Sequence, residues 1–123
     1  MVLPVCLSSG LALVPVGSVW SADDVVADGA ISIVRAAELV HLVRQDCGSC
    51  HGLTLKGGLG PALTADALYD KPAEGLVATI VGGRPGTPMP PFRGLISEAE
   101  AEWIVEQLMA GFPETAQATE ARK

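Results

Sequence analysis

The sequence predicts a small all-α domain, and two observations carry this prediction. Apolar residues recur at helical spacing in two segments, near residues 30–45 and 97–109, and nothing suggests strands alternating with helices. Stretches rich in glycine and proline separate the helical segments, and such stretches form loops. A chain of 123 residues has room for one domain. We therefore expect about four helices wrapped by loops.

The first helix is predicted over residues 30–45. Its apolar residues repeat with a period near 3.6 and comprise Ile33, Ala36, Ala37, Val40 and Val43. His41 falls on a polar face of this helix, where a solvated histidine is a better interpretation than a metal ligand. The helix leads directly into Cys47.

Two shorter helices are predicted in the middle of the chain. Thr64 is placed to cap a short helix that runs to about Tyr69. Pro72 can open another helix, because proline suits the first helical position, and Gly82 with Gly83 would end it. The Gly-rich and Pro-rich segments on either side are expected to wrap around the helices.

The last helix is the best specified by sequence. Ser97 followed by Glu100 is a capping-box pattern, and Gly111 followed by Pro113 ends the helix. The predicted buried stripe comprises Ala99, Trp103, Ile104 and Leu108.

The first 22 residues carry no charge, and Ser21 and Ala22 offer small residues for cleavage. This pattern predicts a signal peptide over residues 1–22, hence a periplasmic protein without stable membrane insertion after cleavage. An uncleaved anchor is the alternative, and the absence of a base before Arg35 departs from the usual signal. The domain is then expected over residues 23–113, followed by a flexible tail over 114–123.

A Cys-x-x-Cys-His motif, formed by Cys47, Cys50 and His51, carries the chemistry. Two thiols at this spacing can bond the two vinyl groups of one haem, and the adjacent imidazole can then ligate the iron. The motif therefore predicts one covalent haem c. A dithiol redox site would require a strand before the motif, and a zinc site would require a fourth ligand, for which Cys6 lies in the predicted signal peptide. Both alternatives remain open but disfavoured.

The sixth iron ligand has two methionine candidates beyond the start residue. Met109 lies on the last helix, where a methionine usually fills the core. Met89 lies among Pro88, Pro90 and Pro91, which fix the backbone around it and lower the entropy lost when the thioether is held. We expect Met89 to be the axial ligand, with an open site or a histidine ligand as alternatives.

The chain resembles the class I c-type cytochromes over residues 30–111. The shared features are a first helix ending in the haem motif, Gly60-Pro61 ten residues after His51, a methionine in a Pro-rich loop, and a C-terminal helix with an aromatic residue. This resemblance implies the small class I cytochrome c fold and an electron carrier rather than an enzyme. It also implies that the Pro61 carbonyl accepts a hydrogen bond from His51 and orients it.

A narrower resemblance rests on residues 45–63 and 83–92, which are similar to the small periplasmic cytochrome of denitrification gene clusters. It implies redox partner proteins, with a haem-c, haem-d nitrite reductase as electron acceptor. Maturation of that reductase, or service to another terminal reductase or oxidase, is the alternative. We expect a monomer with no nucleic-acid partner.

The charges are unevenly distributed along the chain. Net charge is −3 over residues 23–46, +1 over residues 47–97 and −4 over residues 98–123, within a total of −6. The four bases of the middle segment are Lys56, Lys71, Arg84 and Arg93. They are either ordinary solvated charges or guides for partner docking at an exposed haem edge.

Overall fold

The computed structural model of the chain describes residues 30–113, and its regular elements are all helical. They are α1 (Ile33–Leu42), a π-helical turn (Val43–Cys47), α2 (Gly48–His51), α3 (Ala65–Leu68), α4 (Ala73–Gly82) and α5 (Glu98–Met109). Strands are absent from this part of the chain, so the all-α prediction is confirmed. The predicted signal peptide (1–22) and tail (114–123) lie outside the described residues.

Helix α1 begins at a side-chain cap and continues without a break through the haem motif. The Ser32 hydroxyl accepts a hydrogen bond of 3.1 Å from the backbone N–H of Arg35, which supplies a partner for one orphan donor of the first turn. The helix thus starts three residues later than predicted. The π-helical turn and α2 extend it to His51, whereas the sequence predicted an end near residue 45.

The buried face of α1 is narrower than the sequence pattern indicated. Ala36, Val40 and Val43 are buried as predicted, and Leu39 is fully buried as well. Ile33 and Ala37 are exposed, so their predicted burial was wrong. His41 is exposed, as expected for a solvated histidine.

Helices α3 and α4 begin and end close to their predicted limits. Thr64 precedes α3 but its side chain makes no capping hydrogen bond. Pro72 precedes α4, and Gly83 ends it with a φ of 68°, in the left-handed region that favours glycine.

Helix α5 starts with the predicted capping box. The Ser97 hydroxyl accepts from the Glu100 N–H at 3.2 Å, while the Glu100 carboxylate accepts from the Ser97 N–H at 2.7 Å. Ile104 and Leu108 are buried and Trp103 is half-buried, but Ala99 is exposed. The buried stripe instead passes through Ala101, two residues away from Ala99 and therefore on a different side of the helix.

The hydrophobic core joins the helices to the two long loops. Its buried members include Leu39 of α1, Val43 of the π-helical turn, Ile104 and Leu108 of α5, and Leu55 of the loop after His51. At the surface, Arg35 of α1 donates to the Glu100 carboxylate of α5 at 2.5 Å. Among the described residues, no helix combines the length and apolar character needed to cross a membrane.

Candidate functional site

Both cysteines and the histidine of the motif lie at the end of the continuous helix that α1, the π-helical turn and α2 form. Cys47 closes the π-helical turn, and Cys50 and His51 belong to α2. Residues three apart on a helix lie on the same side, so the two thiols are presented together. All three side chains are half-buried, and neither cysteine forms a disulfide. Helical turns of π type occur often at functional sites.

Burial sets the acidity of the first thiol. Desolvation, with a smaller contribution from the nearby Asp46 carboxylate, raises the pKa of Cys47 to about 11. The thiol is therefore protonated at neutral pH. Thiol redox proteins use a cysteine whose pKa is lowered to generate the thiolate, so this environment disfavours the dithiol interpretation.

His51 makes one well-defined hydrogen bond, to the loop that follows it. Its Nδ1 lies 2.6 Å from the carbonyl oxygen of Pro61. A carbonyl only accepts, so Nδ1 carries the proton and Nε2 of the neutral ring keeps its lone pair. A metal-ligating histidine normally has this arrangement, with one ring nitrogen donating to a carbonyl or carboxylate and the other free to bind.

Gly60 leaves space for the His51 ring. A Cβ added at Gly60 would lie 2.7 Å from Cε1 and 2.8 Å from Nδ1 of His51, closer than real Cβ atoms approach. Because only glycine lacks this atom, the imidazole can pack directly against the backbone here. The sequence pattern Gly60-Pro61 therefore has two separate physical roles beside His51.

The loop between His51 and α3 is held by its own backbone. The Gly57 N–H donates to His51 O at 2.8 Å, and the Gly60 N–H donates to Cys50 O at 2.9 Å. Leu55 has a φ of 59°, unusual for a branched side chain, and is only 2% exposed. Burial of its side chain offsets the cost of that backbone conformation. Sequence analysis gave no sign of this residue.

Met89 comes from a different element, the loop between α4 and α5, and is half-buried. Its carbonyl accepts from the Arg84 N–H at 3.2 Å, and its N–H donates to the Thr87 hydroxyl at 3.3 Å. Within residues 30–113 its hydrogen bonds are all made by its backbone, and none is formed between Met89 and His51. Met109, the other candidate, is packed against the hydrophobic core from α5.

Arg44 is a residue of the site region that sequence analysis did not single out. Its guanidinium donates to Leu53 O at 3.3 Å and to Pro113 O at 3.1 Å, and it lies 5.3 Å from the centre of the Phe112 ring. It thereby joins the π-helical turn to the loop after His51 and to the segment after α5. A cation within about 6 Å of an aromatic ring is attracted to its face.

The donor set fits a covalently attached haem better than a bare metal ion. Two thiols on one side of a helix and an adjacent imidazole with a free Nε2 are the groups that haem c attachment requires. Across residues 30–113 no group of three His, Cys, Asp or Glu side chains is arranged to hold a metal ion.

Comparison with known proteins defines the class. Residues 34–108 match the family described as cytochrome c oxidase, cbb3-type, subunit III, so the chain belongs to this family of c-type cytochrome domains. The family carries haem c covalently, as the motif predicted, and its proteins transfer electrons.

The chain is similar to proteins named cytochrome c55X. It is 64% identical to that of Pseudomonas aeruginosa over 77 residues, which are 63% of this chain and 65% of the relative. It is 53% identical to that of Stutzerimonas stutzeri over 79 residues, which are 64% of this chain and 70% of the relative. A solved c-type cytochrome named NirC is 61% identical with a TM-score of 0.62, covering 63% of this chain and 91% of that one.

A second kind of relative is much longer than this chain. Dihydro-heme d1 dehydrogenase of Pseudomonas aeruginosa is 37% identical over 86 residues, which are 69% of this chain and 17% of the relative. The solved dihydro-heme d1 dehydrogenase NirN in complex with DHE is 35% identical with a TM-score of 0.54, covering 63% of this chain and 16% of that one.

Proposed function

We propose that the protein is a periplasmic one-electron carrier rather than an enzyme. In this proposal Cys47 and Cys50 would hold haem c through thioether bonds, and His51 and Met89 would ligate its iron. Pro61 orients His51 through the Nδ1 hydrogen bond of 2.6 Å. Bound here, the haem supplies one-electron chemistry between ferric and ferrous iron.

The hydrogen bond between His51 and Pro61 is the observation that carries this proposal. It holds one ring nitrogen as donor, so the other is available to the iron in a fixed orientation. Met89 sits in a loop that three prolines and the Thr87 hydroxyl restrain. If His51 and Met89 both ligate the iron, no position on it would be left for a substrate. Ligation by His and Met also favours the ferrous state and a relatively high potential.

A nitrite reductase that contains haem c and haem d is the acceptor we propose. The support is the resemblance of residues 45–63 and 83–92 to the small cytochrome of denitrification clusters and the similarity to cytochrome c55X. Lys56, Arg84 and Arg93 are exposed on the two loops that flank the proposed ligands, where bases can guide an acidic partner.

Electron transfer between purified proteins tests the proposal. The reduced holoprotein is mixed with the oxidised nitrite reductase, and oxidation of its haem is followed by stopped-flow absorbance. We expect rapid oxidation that slows as salt is added and is slowed further in Lys56→Glu/Arg84→Glu. If the protein stays reduced while another class I cytochrome is oxidised by the same reductase, the proposed acceptor is wrong.

A second candidate function is an accessory role in maturing the reductase or its haem d. The similarity to dihydro-heme d1 dehydrogenase favours it, since a small cytochrome related to that protein could remove the electrons released by dehydrogenation. A strain lacking this protein should then contain nitrite reductase without its haem d. Reductase with a full complement of haem d in that strain would contradict the accessory role while leaving the electron-donor role intact.

A further inference from the structure

A surface groove of about 940 Å³ runs between α4 and α5, away from the proposed ligands. Its floor is apolar and is formed by Val77 and Val81 of α4 and by Val105 and Met109 of α5. Val77 and Val105 are buried there, whereas Val81 and Met109 are partly exposed. The groove is not lined by Cys47, Cys50, His51, Pro61 or Met89, so it is separate from the proposed haem site.

Four carboxylates border this apolar floor, which we call the acidic groove. Glu74 belongs to α4, and Glu98, Glu102 and Glu106 belong to α5. Among residues 30–113, no base lines the groove. Their carboxylates form no ion pair with any residue in the described part of the chain, in contrast to Glu100, which binds Arg35.

The three glutamates of α5 that border the groove repel one another in the isolated protein. Glu98, Glu102 and Glu106 are spaced four residues apart, and like charges at that spacing on a helix repel one another. Glu98 lies in the first turn, where the helix dipole favours an acid, but Glu106 lies in the last turn, where it favours a base. Unfavourable charge placements that no contact within the protein offsets are typical of functional surfaces.

We propose that the acidic groove docks a helical segment of a partner protein, one with an apolar stripe flanked by lysine or arginine. An apolar floor between two neighbouring helices suits a helix that inserts residues at i, i+3 or i+4, and i+7. Carboxylates on both borders select cationic flanks and repel acidic proteins and anionic membranes. Helix α4 has ten residues, about 15 Å, so two or three apolar anchors fit along it. The site goes beyond the proposed electron-transfer function and does not depend on it.

A synthetic amphipathic peptide tests the groove. The probe is a helix of about 14 residues built from leucine and lysine at heptad spacing, and a peptide of scrambled order is the control. Titration into the ¹⁵N-labelled oxidised holoprotein should shift amide resonances of α4 and α5 with saturable binding. Glu102→Gln/Glu106→Gln should raise the peptide Kd at least about tenfold, because two charge contacts are lost.

Matched variants separate the groove from net charge. Asp66→Asn/Asp70→Asn changes the net charge equally at residues that do not line the groove, and should leave the Kd nearly unchanged. Val81→Asn should weaken binding without altering any charge. The proposal is overturned if the scrambled peptide binds equally well, if both double variants lose affinity to the same extent, or if the shifts map to the loops around Lys56 and Arg84. Binding to vesicles of anionic lipid through α4 and α5 would also overturn it.

Discussion

The loop after His51 and the loop around Met89 belong to the same proposed site but are held in different ways. Backbone hydrogen bonds within residues 50–63 fix the first loop, and it contains glycines where a Cβ would collide with backbone or with the His51 ring. Backbone hydrogen bonds hold the second loop as well, including one from the Arg84 N–H to Met89 O, but this loop depends in addition on its prolines and on the Thr87 hydroxyl. An added Cβ would collide at Gly52, Gly58 and Gly60 in the first loop, and only at Gly83 beside the second. The second loop therefore differs mainly by side-chain restraints that can be removed singly.

This difference predicts that His51 is held rigidly, whereas Met89 can be displaced from the iron by another ligand. When an added Cβ meets backbone atoms, no rotamer change of a neighbour can make room for it, because the backbone is closely packed and moves only as a segment. A ligand held by a restricted loop can leave when one restraint is lost. The following predictions test this contrast.

Gly60→Ala should have the largest effect. The added Cβ would lie 2.7 Å from the His51 ring, and relief of such a contact costs about 1–3 kcal/mol. We expect a lower yield of covalent haem adduct by mass spectrometry and a lower urea midpoint. Gly94→Ala is the matched control, since nothing lies within 4 Å of a Cβ at that position. Equal stability of the two variants would show that the histidine side is not rigid.

Met89→Ala should change the iron more than the fold. If Met89 is the axial ligand, the absorption band of the Met–iron bond at the red end of the ferric spectrum should vanish, and the potential should fall. The urea midpoint should change less than in Gly60→Ala, because Met89 is only half-buried. Met109→Leu, which alters the methionine on α5, should keep the band. Survival of the band in Met89→Ala would refute the ligand assignment.

The sequence predicted those parts of the molecule that local rules determine. The limits of α4 and α5 follow from Pro72, Gly83 and the Ser97 capping box, so both could be anticipated. The π-helical turn at Val43–Cys47 could not, since no residue type marks an added residue in a helical turn. The same holds for the positive φ of Leu55, because a buried leucine normally avoids that conformation.

For the site, the motif located Cys47, Cys50 and His51, the surrounding prolines singled out Met89, and the resemblance to class I cytochromes added Pro61. The steric role of Gly60 depends on a distance to His51 that only coordinates give. Arg44 was missed because its partners are backbone carbonyls, at Leu53 and Pro113, and carbonyls leave no mark in a sequence. The axial role of Met89 stays a prediction.

The contact between Arg35 and Glu100 should make the stability of the fold depend on pH. It joins α1 to α5 and involves neither of the two loops. Its hydrogen bond from Arg35 lowers the pKa of Glu100. A lowered carboxyl pKa adds stability above its unfolded value, about 4.3, and that stability is lost as pH falls through the folded value. Arg35 is 35% exposed, so solvent screening limits the effect to about 1 kcal/mol or less.

Glu100→Gln tests this contact because glutamine can still serve the capping box. The variant should melt below the parent protein at pH 7, and the difference should shrink below about pH 4. Glu38→Gln, at the exposed partner of Arg35, should have a smaller effect. A difference that is independent of pH would show that the charge of Glu100 is not the cause.

Thr87→Val should have the smallest effect and separates the two loops most cleanly. The Thr87 hydroxyl donates to Arg84 O at 2.7 Å and accepts from the Met89 N–H at 3.3 Å, so its loss loosens the methionine loop without changing a ligand. Loss of about 1 kcal/mol of hydrogen bonding would raise the binding constant of added imidazole for the ferric iron by roughly fivefold. Thr54→Val alters an exposed threonine of the His51 loop and should leave that constant unchanged. Equal constants in both variants would mean that Thr87 does not retain Met89, and that the prolines and the backbone hydrogen bonds of the loop restrain it instead.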